Sequence, residues 1–180
     1  MTTALLLIDL QNDYFADDEL ARCRDDVVAA CQKLAAHARA AGAPVVEVRT
    51  VHARDKSTWA LNMLEDDQGM VLEGTPGADP VTGLPDADHV VVKTRDSAFF
   101  GTGLERWLAE RGVDRLVLAG VSTESCIAAT ATDAYARDLR VVLVEDATAS
   151  IEWSMHDQTL ERLEQQYRQE VRSANDVTFS

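Results

Sequence analysis

The chain has 180 residues, 46% of them hydrophobic, enough to bury one core, so a single domain over residues 1–180 is expected. Its 31 acidic and 17 basic residues leave a net charge of −14; such a surface repels phosphate backbones and anionic lipid, which excludes nucleic acid and membrane surfaces as expected partners. No apolar stretch approaches a membrane span, no basic leader or cleavage signal precedes the first strand, and three cysteines without zinc-type spacing fit reduced thiols in a cytoplasm.

Strand-like apolar runs alternate with helical stretches, the pattern of an α/β fold with a mostly parallel sheet. Ala4 to Ile8 read as a buried strand closed by Asp9. From about Glu19 to Ala41 a helical period places Val27, Val28, Cys31, Leu34, Ala35 and Ala38 on one face, and Gly42 stops it. Cys23 and Cys31, two turns apart, suit helix packing. Pro44 to Val51 form a second strand. His52 to Asp88, punctuated by Gly74, Pro76, Gly77, Pro80, Gly83 and Pro85, reads as a long excursion over the surface, a length usually kept for functional covers.

Val90 to Val92 make a third strand closed by Lys93. Thr102 and Glu105 form a capping box for a helix that ends at Gly112. Arg115 to Ala119 is a fourth strand ending at Gly120, and Cys126 opens an alanine-rich helix to Ala136. Arg140 to Val144 is a fifth strand, Ser154 caps a last helix carrying Leu160, Leu163 and Tyr167 inward, and Val177 to Phe179 is a candidate sixth strand.

Three polar residues lie at strand ends: Asp9, Lys93 and Cys126. In an open parallel sheet the carboxyl ends share one edge, where ligands bind near the point at which strand order reverses. Strands one, three and four as near neighbours would make these side chains converge. Taken singly, the thiol reads as a small buried hydrophobe, the carboxylate as a turn partner, and the lysine as a stem packed on the sheet. Together they supply a nucleophile, a base and a cation. A thiol at a helix start beside an ammonium favours the thiolate, and a carboxylate accepts its proton. His37, His89 and His156 hold no comparable place.

Three segments carry a family resemblance: Leu7-Ile8-Asp9-Leu10-Gln11-Asn12-Asp13-Tyr14-Phe15, the stretch from Val92-Lys93-Thr94 to Thr102, and Gly120-Val121-Ser122-Thr123-Glu124-Ser125-Cys126. In this order and on these elements, the sequence resembles the isochorismatase-like cysteine hydrolases. The resemblance implies a six-stranded, doubly wound parallel sheet with helices on both faces, and a triad of Asp9, Lys93 and Cys126. It further implies a cis peptide bond at Val121–Ser122, an oxyanion hole from the Ser122 and Cys126 N–H groups, and a homodimer or homotetramer. Nicotinamidases of the family carry an Asp-x-His metal motif followed by another histidine. Here that region reads Arg49-Thr50-Val51-His52-Ala53-Arg54-Asp55-Lys56, with no further histidine before His89. A lone histidine is a poor metal site, so no metal or cofactor is expected, and His52 reads as a pocket-wall or surface residue.

The expected reaction is hydrolysis of a small-molecule amide, carbamoyl or ureido C–N bond through a thioester on Cys126. A vinyl-ether hydrolase of the isochorismatase type, which needs the aspartate but not the thiol, is one alternative; an idle metabolite-binding module is another. Phe15, Trp59, Phe99 and Phe100 are candidates for the pocket wall or for ordinary core. Arg95 is a candidate for a substrate carboxylate or for an ion pair with Asp96 or Glu105.

Overall fold

Side chains alternate across a strand, so a strand apolar at every position must be covered on both faces. Strand β1 (Thr3–Ile8) is buried throughout, and so is β4 (Arg115–Val121). These two pair at the centre of a six-stranded sheet described, with residues 1–179, by a computed structural model. The other strands are β2 (Val45–Thr50), β3 (His89–Lys93), β5 (Arg140–Ala149) and β6 (Glu170–Arg172). The order is β3-β2-β1-β4-β5-β6, and every pairing is parallel. The sheet is doubly wound, with its switch point between β1 and β4.

Odd and even positions feed separate cores. Leu5, Leu7, Val45, Val117 and Val142 meet Val27, Val28, Cys31, Leu34, Ala35 and Ala38 of α1 (Asp18–Ala40). Ala4, Leu6, Ile8, Val46, Leu118 and Leu143 pack with α3 (Leu104–Ala109), α4 (Ala128–Tyr135) and α5 (Trp153–Tyr167). Asp17 caps α1 by accepting from the Glu19 and Leu20 N–H groups. No helix among the described residues is long and apolar enough to cross a membrane.

Several local expectations are corrected. The sixth strand is Glu170–Arg172, not Val177 to Phe179. Val177 and Phe179 insert into the α1-side core, while the Thr178 carbonyl accepts from the Arg115 guanidinium. The box from Thr102 to Glu105 does not form: Gly103 occupies the cap position, and the Thr102 hydroxyl donates to the Ala98 carbonyl. Glu152, not Ser154, precedes α5, and the Ser154 hydroxyl bonds the Glu152 carboxylate. Cys126 does not open α4. It is the fourth residue of a π-helical turn, Thr123–Ile127, that feeds into it.

The 52–88 excursion is partly ordered, containing α2 (Leu61–Asp66), a 3₁₀ turn at Pro76–Ala78 and a bridge between His52 and Leu72. A clasp from the end of β1 ties it down. The Gln11 amide donates to the Thr50 and Ala78 carbonyls, and that of Asn12 to the Pro76 carbonyl. Asp13 accepts from the Val71 N–H, while the Asp13 N–H donates to the Gly77 carbonyl. Position 77 has no room for a side chain, because a Cβ there would lie 1.9 Å from Asp13 Oδ1.

Candidate active site

Four adjacent strands deliver one side chain each to the carboxyl edge. β3 ends in Lys93, β2 in Thr50, β1 runs into Asp9, and β4 leads through the π turn to Cys126. The sequence reading needed strands one and three as near neighbours; β2 lies between them. Strands sit about 4.8 Å apart, so only a side chain as long as lysine crosses β2 to reach Asp9. Asp9 leaves β1 with φ 54°, a left-handed conformation that aspartate tolerates better than most residues. Gly120 lets β4 approach there, since a Cβ would lie 1.9 Å from the Ile8 carbonyl oxygen.

The contacts are short and dry. Lys93 Nζ lies 2.8 Å from Asp9 Oδ2, and both side chains are 0% exposed. That contact is an ion pair without hydrogen-bond geometry, and Oδ2 has no hydrogen-bond partner among the described residues. Lys93 donates to Thr50 Oγ1 at 2.7 Å and to Cys126 Sγ at 3.4 Å. Thr50 in turn donates to Asp9 Oδ1 at 2.9 Å. Burial disfavours the Lys93 ammonium, but Asp9 and Cys126 together outweigh it and hold the group above the ordinary lysine value.

The thiol departs from the thiolate expectation. Burial pushes the Cys126 pKa well up, the Asp9 charge adds to the rise, and the Lys93 ammonium opposes it. Burial and the Asp9 charge thus work against the thiolate, and Asp9 is placed to take the thiol proton.

The Val121–Ser122 peptide is cis. In the π turn the Ser122 carbonyl accepts from the Ser125 and Ile127 N–H groups and is bypassed by that of Cys126. His156, buried on α5, lies with Nδ1 2.8 Å from Thr123 Oγ1 and braces the same turn.

The aromatic candidates separate. Phe15 packs in the α1-side core and Phe99 in the opposite core under the Arg137 guanidinium, whereas Phe100 stands 63% exposed. Trp59 is buried, its indole N–H donating to the Ala53 carbonyl. Arg95 makes neither ion pair considered for it among the described residues; its guanidinium holds the Thr58 and Trp59 carbonyls, and Glu105 pairs with Arg137. His52 is buried, not surface, with Nδ1 2.9 Å from the Thr58 carbonyl. A carbonyl only accepts, so Nδ1 carries the proton. Burial holds this imidazole below the ordinary histidine value. Among the described residues, no group of three or more His, Cys, Asp or Glu is placed to hold a metal ion.

Two residues that sequence reasoning passed over belong here. Thr50 looks like any β-branched residue at a strand end, and only the Thr50–Lys93 register reveals its place. Tyr14 sits in the quoted first motif, and its phenol is pushed far up by burial, then by the Asp9 and Cys126 charges, with the Thr50 hydroxyl working the other way.

Comparison with known proteins finds similarity over most of the chain. A family model described as Isochorismatase domain matches residues 3–176. A probable inactive nicotinamidase of Arabidopsis thaliana is 37% identical over 164 residues, 86% of this chain and 84% of that protein. The structure of an isochorismatase family protein from Desulfovibrio vulgaris is similar at TM-score 0.87 and 34% identity, covering 97% of this chain and 95% of that one. N-carbamoylsarcosine amidase from Thermoplasma acidophilum is similar at TM-score 0.83 and 28% identity, covering 98% of this chain and 99% of that one.

Proposed function

The chain belongs to the isochorismatase family, and on that premise we propose that it hydrolyses a small-molecule amide, carbamoyl or ureido C–N bond by way of Cys126, without a metal. The observation that carries the reading is the dry contact of one ammonium with a carboxylate at 2.8 Å and a thiol at 3.4 Å. Similarity to an N-carbamoylsarcosine amidase supports the bond type. The metal-free part is supported by the ligand set: among the described residues, no group of three or more His, Cys, Asp or Glu is placed to hold an ion, whereas catalytic zinc takes three protein ligands.

In this mechanism the carbonyl of the substrate enters above Sγ. Asp9 takes the thiol proton, sulfur attacks the carbonyl carbon, and a C–S bond forms as the carbonyl oxygen becomes an oxyanion. The N–H groups of Ser122 and Cys126 receive that charge. Lys93 keeps the combined negative charge of carboxylate and thiolate tolerable in a site shielded from bulk solvent. Collapse breaks the C–N bond, and the protonated Asp9 gives its proton to the leaving amine or ammonia. Water then attacks the thioester with Asp9 again as base, and the proton returns to sulfur. The sum is substrate plus water giving acid plus amine.

The test is an ammonia-release screen over linear amides, ureido acids and nicotinamide, before and after exhaustive chelation, with Cys126→Ala as control. Acid quench and peptide mapping locate the acyl group. Turnover that survives chelation, with an adduct on Cys126, is expected. An adduct elsewhere, activity lost on chelation and restored by one metal, or pyruvate from isochorismate without ammonia from any amide would overturn it.

A further inference from the structure

We infer that Thr50 is a positioning residue that selects which oxygen of Asp9 acts as the base and keeps Lys93 on the thiol; this rests on the acid–base roles proposed above. The direction of its hydrogen bonds follows from chemistry alone. An ammonium has no acceptor, so the 2.7 Å contact with Lys93 uses a lone pair of Thr50 Oγ1. The single hydroxyl hydrogen is then committed to Asp9 Oδ1, 2.9 Å away.

Two consequences follow. Oδ1 is capped by the hydroxyl, which leaves Oδ2, buried 2.8 Å from the ammonium but without a hydrogen-bond partner among the described residues, as the oxygen with a lone pair for the thiol proton. Lys93 is also held part-way along its reach. With one donor spent on Thr50 and Asp9 Oδ2 2.8 Å away, its other hydrogen bond goes to Cys126 Sγ at 3.4 Å and not to Oδ1. Without the hydroxyl, nothing opposes rotation of the carboxylate to meet the ammonium with both oxygens, and the thiol loses its cation.

The placement of the hydroxyl is itself enforced. Gln11, fully buried, grips the Thr50 backbone on both sides: its Oε1 accepts from the Thr50 N–H at 2.9 Å and its Nε2 donates to the Thr50 carbonyl at 2.8 Å. The Asp9 N–H donates to the Val48 carbonyl of β2, and Lys93 is the register partner of Thr50 on β3. Base, bridge and cation are thus fixed to three paired backbones before any substrate arrives. The charged and titratable groups around the hydroxyl are Asp9, Lys93, Cys126 and Tyr14, with Asp96 a further charge acting on the last two.

The experiment reads the thiol directly and needs no substrate. Full-length wild type, Thr50→Val and Thr50→Ser are labelled with limiting iodoacetamide across pH, and the rates at Cys126 and Cys31 are followed by mass spectrometry. Valine should slow Cys126 labelling at neutral pH about tenfold, the worth of one buried hydrogen bond, and move its rise to higher pH. Serine, which restores the hydroxyl, should stay within about twofold of wild type. Cys31, fully buried in the α1-side core, reports general opening and should label no faster in any variant. Should valine open that core, Thr50→Ala supplies the same comparison. Wild-type rate and profile in the folded valine or alanine variant, or a serine variant as slow as valine, overturns the inference. Absence of C–N hydrolysis alongside these shifts removes the proposed reaction and leaves the role of Thr50 standing.

Discussion

Cys31 and Cys126 are both buried thiols, one in the core under α1 and the other at the carboxyl edge of the sheet. Around Cys31 stand Val27, Val28, Leu34 and strand residues of the same apolar core. Burial pushes its pKa up to about 12, with Asp146 adding to the rise. Burial raises Cys126 as well, but there a carboxylate waits for the proton and an ammonium opposes the shift. Desolvation alone makes a thiol inert. The same desolvation beside a base and a cation holds a nucleophile in reserve until a substrate carbonyl is present.

The contrast breaks most completely when the base is removed. Asp9→Asn should keep the fold yet cost about 10² to 10⁴ in turnover, measured by ammonia release once a substrate is found. Full turnover by this variant would sink the shuttle. Next in size is Lys93→Met. Removing one partner of a buried ion pair should cost about 3–5 kcal/mol of stability in urea unfolding. The same variant should move Cys126 alkylation to higher pH, in a titration belonging jointly to thiol and carboxylate. An unchanged profile would mean that the ammonium does not act on sulfur.

A smaller effect separates the two regions by pH. His156 lies 2.8 Å from Thr123 in the turn that carries Cys126. Burial holds its pKa below the ordinary 6.5, against the charges of Asp157, Glu124 and Glu145. A histidine depressed in the folded state binds protons more readily when unfolded. Stability is thus fully present above about pH 6.5 and falls as pH drops below it, by at most about 1.4 kcal/mol per pH unit for each proton. His52, depressed in the same direction, adds to the slope. His156→Asn should flatten the dependence between pH 7.5 and 5.5; an identical slope would assign it elsewhere. Smallest of all is Cys31→Ala, about 1 kcal/mol of stability with Cys126 labelling unchanged. A changed rate at Cys126 would show that the two thiols are not independent.

The alternation of strands and helices and the ends of β1, β3 and β4 were legible because apolar runs and the polar residues closing them are local signals. So was the set of residues at the edge. The order of strands was not. No local pattern says that β2 lies between β1 and β3, and without that order Thr50 is one more β-branched residue. The turn before α4 escaped for a related reason: an alanine-rich stretch has the same composition whether its first turn is α or π. Val177 and Phe179 alternate like a strand, yet two inward-facing side chains satisfy that pattern without a paired backbone. The burial that works against the thiolate at Cys126 was not legible, because helix position and a neighbouring cation can be read along the chain, whereas depth cannot.

The clasp at the end of β1 grips its loop almost entirely by main-chain atoms: the Pro76, Gly77 and Ala78 carbonyls and the Val71 N–H. Such a fastening depends little on the identity of the side chains it holds, beyond the bare α-carbon of Gly77 against Asp13. The loop can therefore be rewritten while its attachment stays the same. A protein engineer could exchange 61–68, keep Gln11, Asn12, Asp13, Gly77 and Gly69, where a Cβ would lie 2.5 Å from the Trp59 ring, and expect the substituted loop to stay tied to the end of β1.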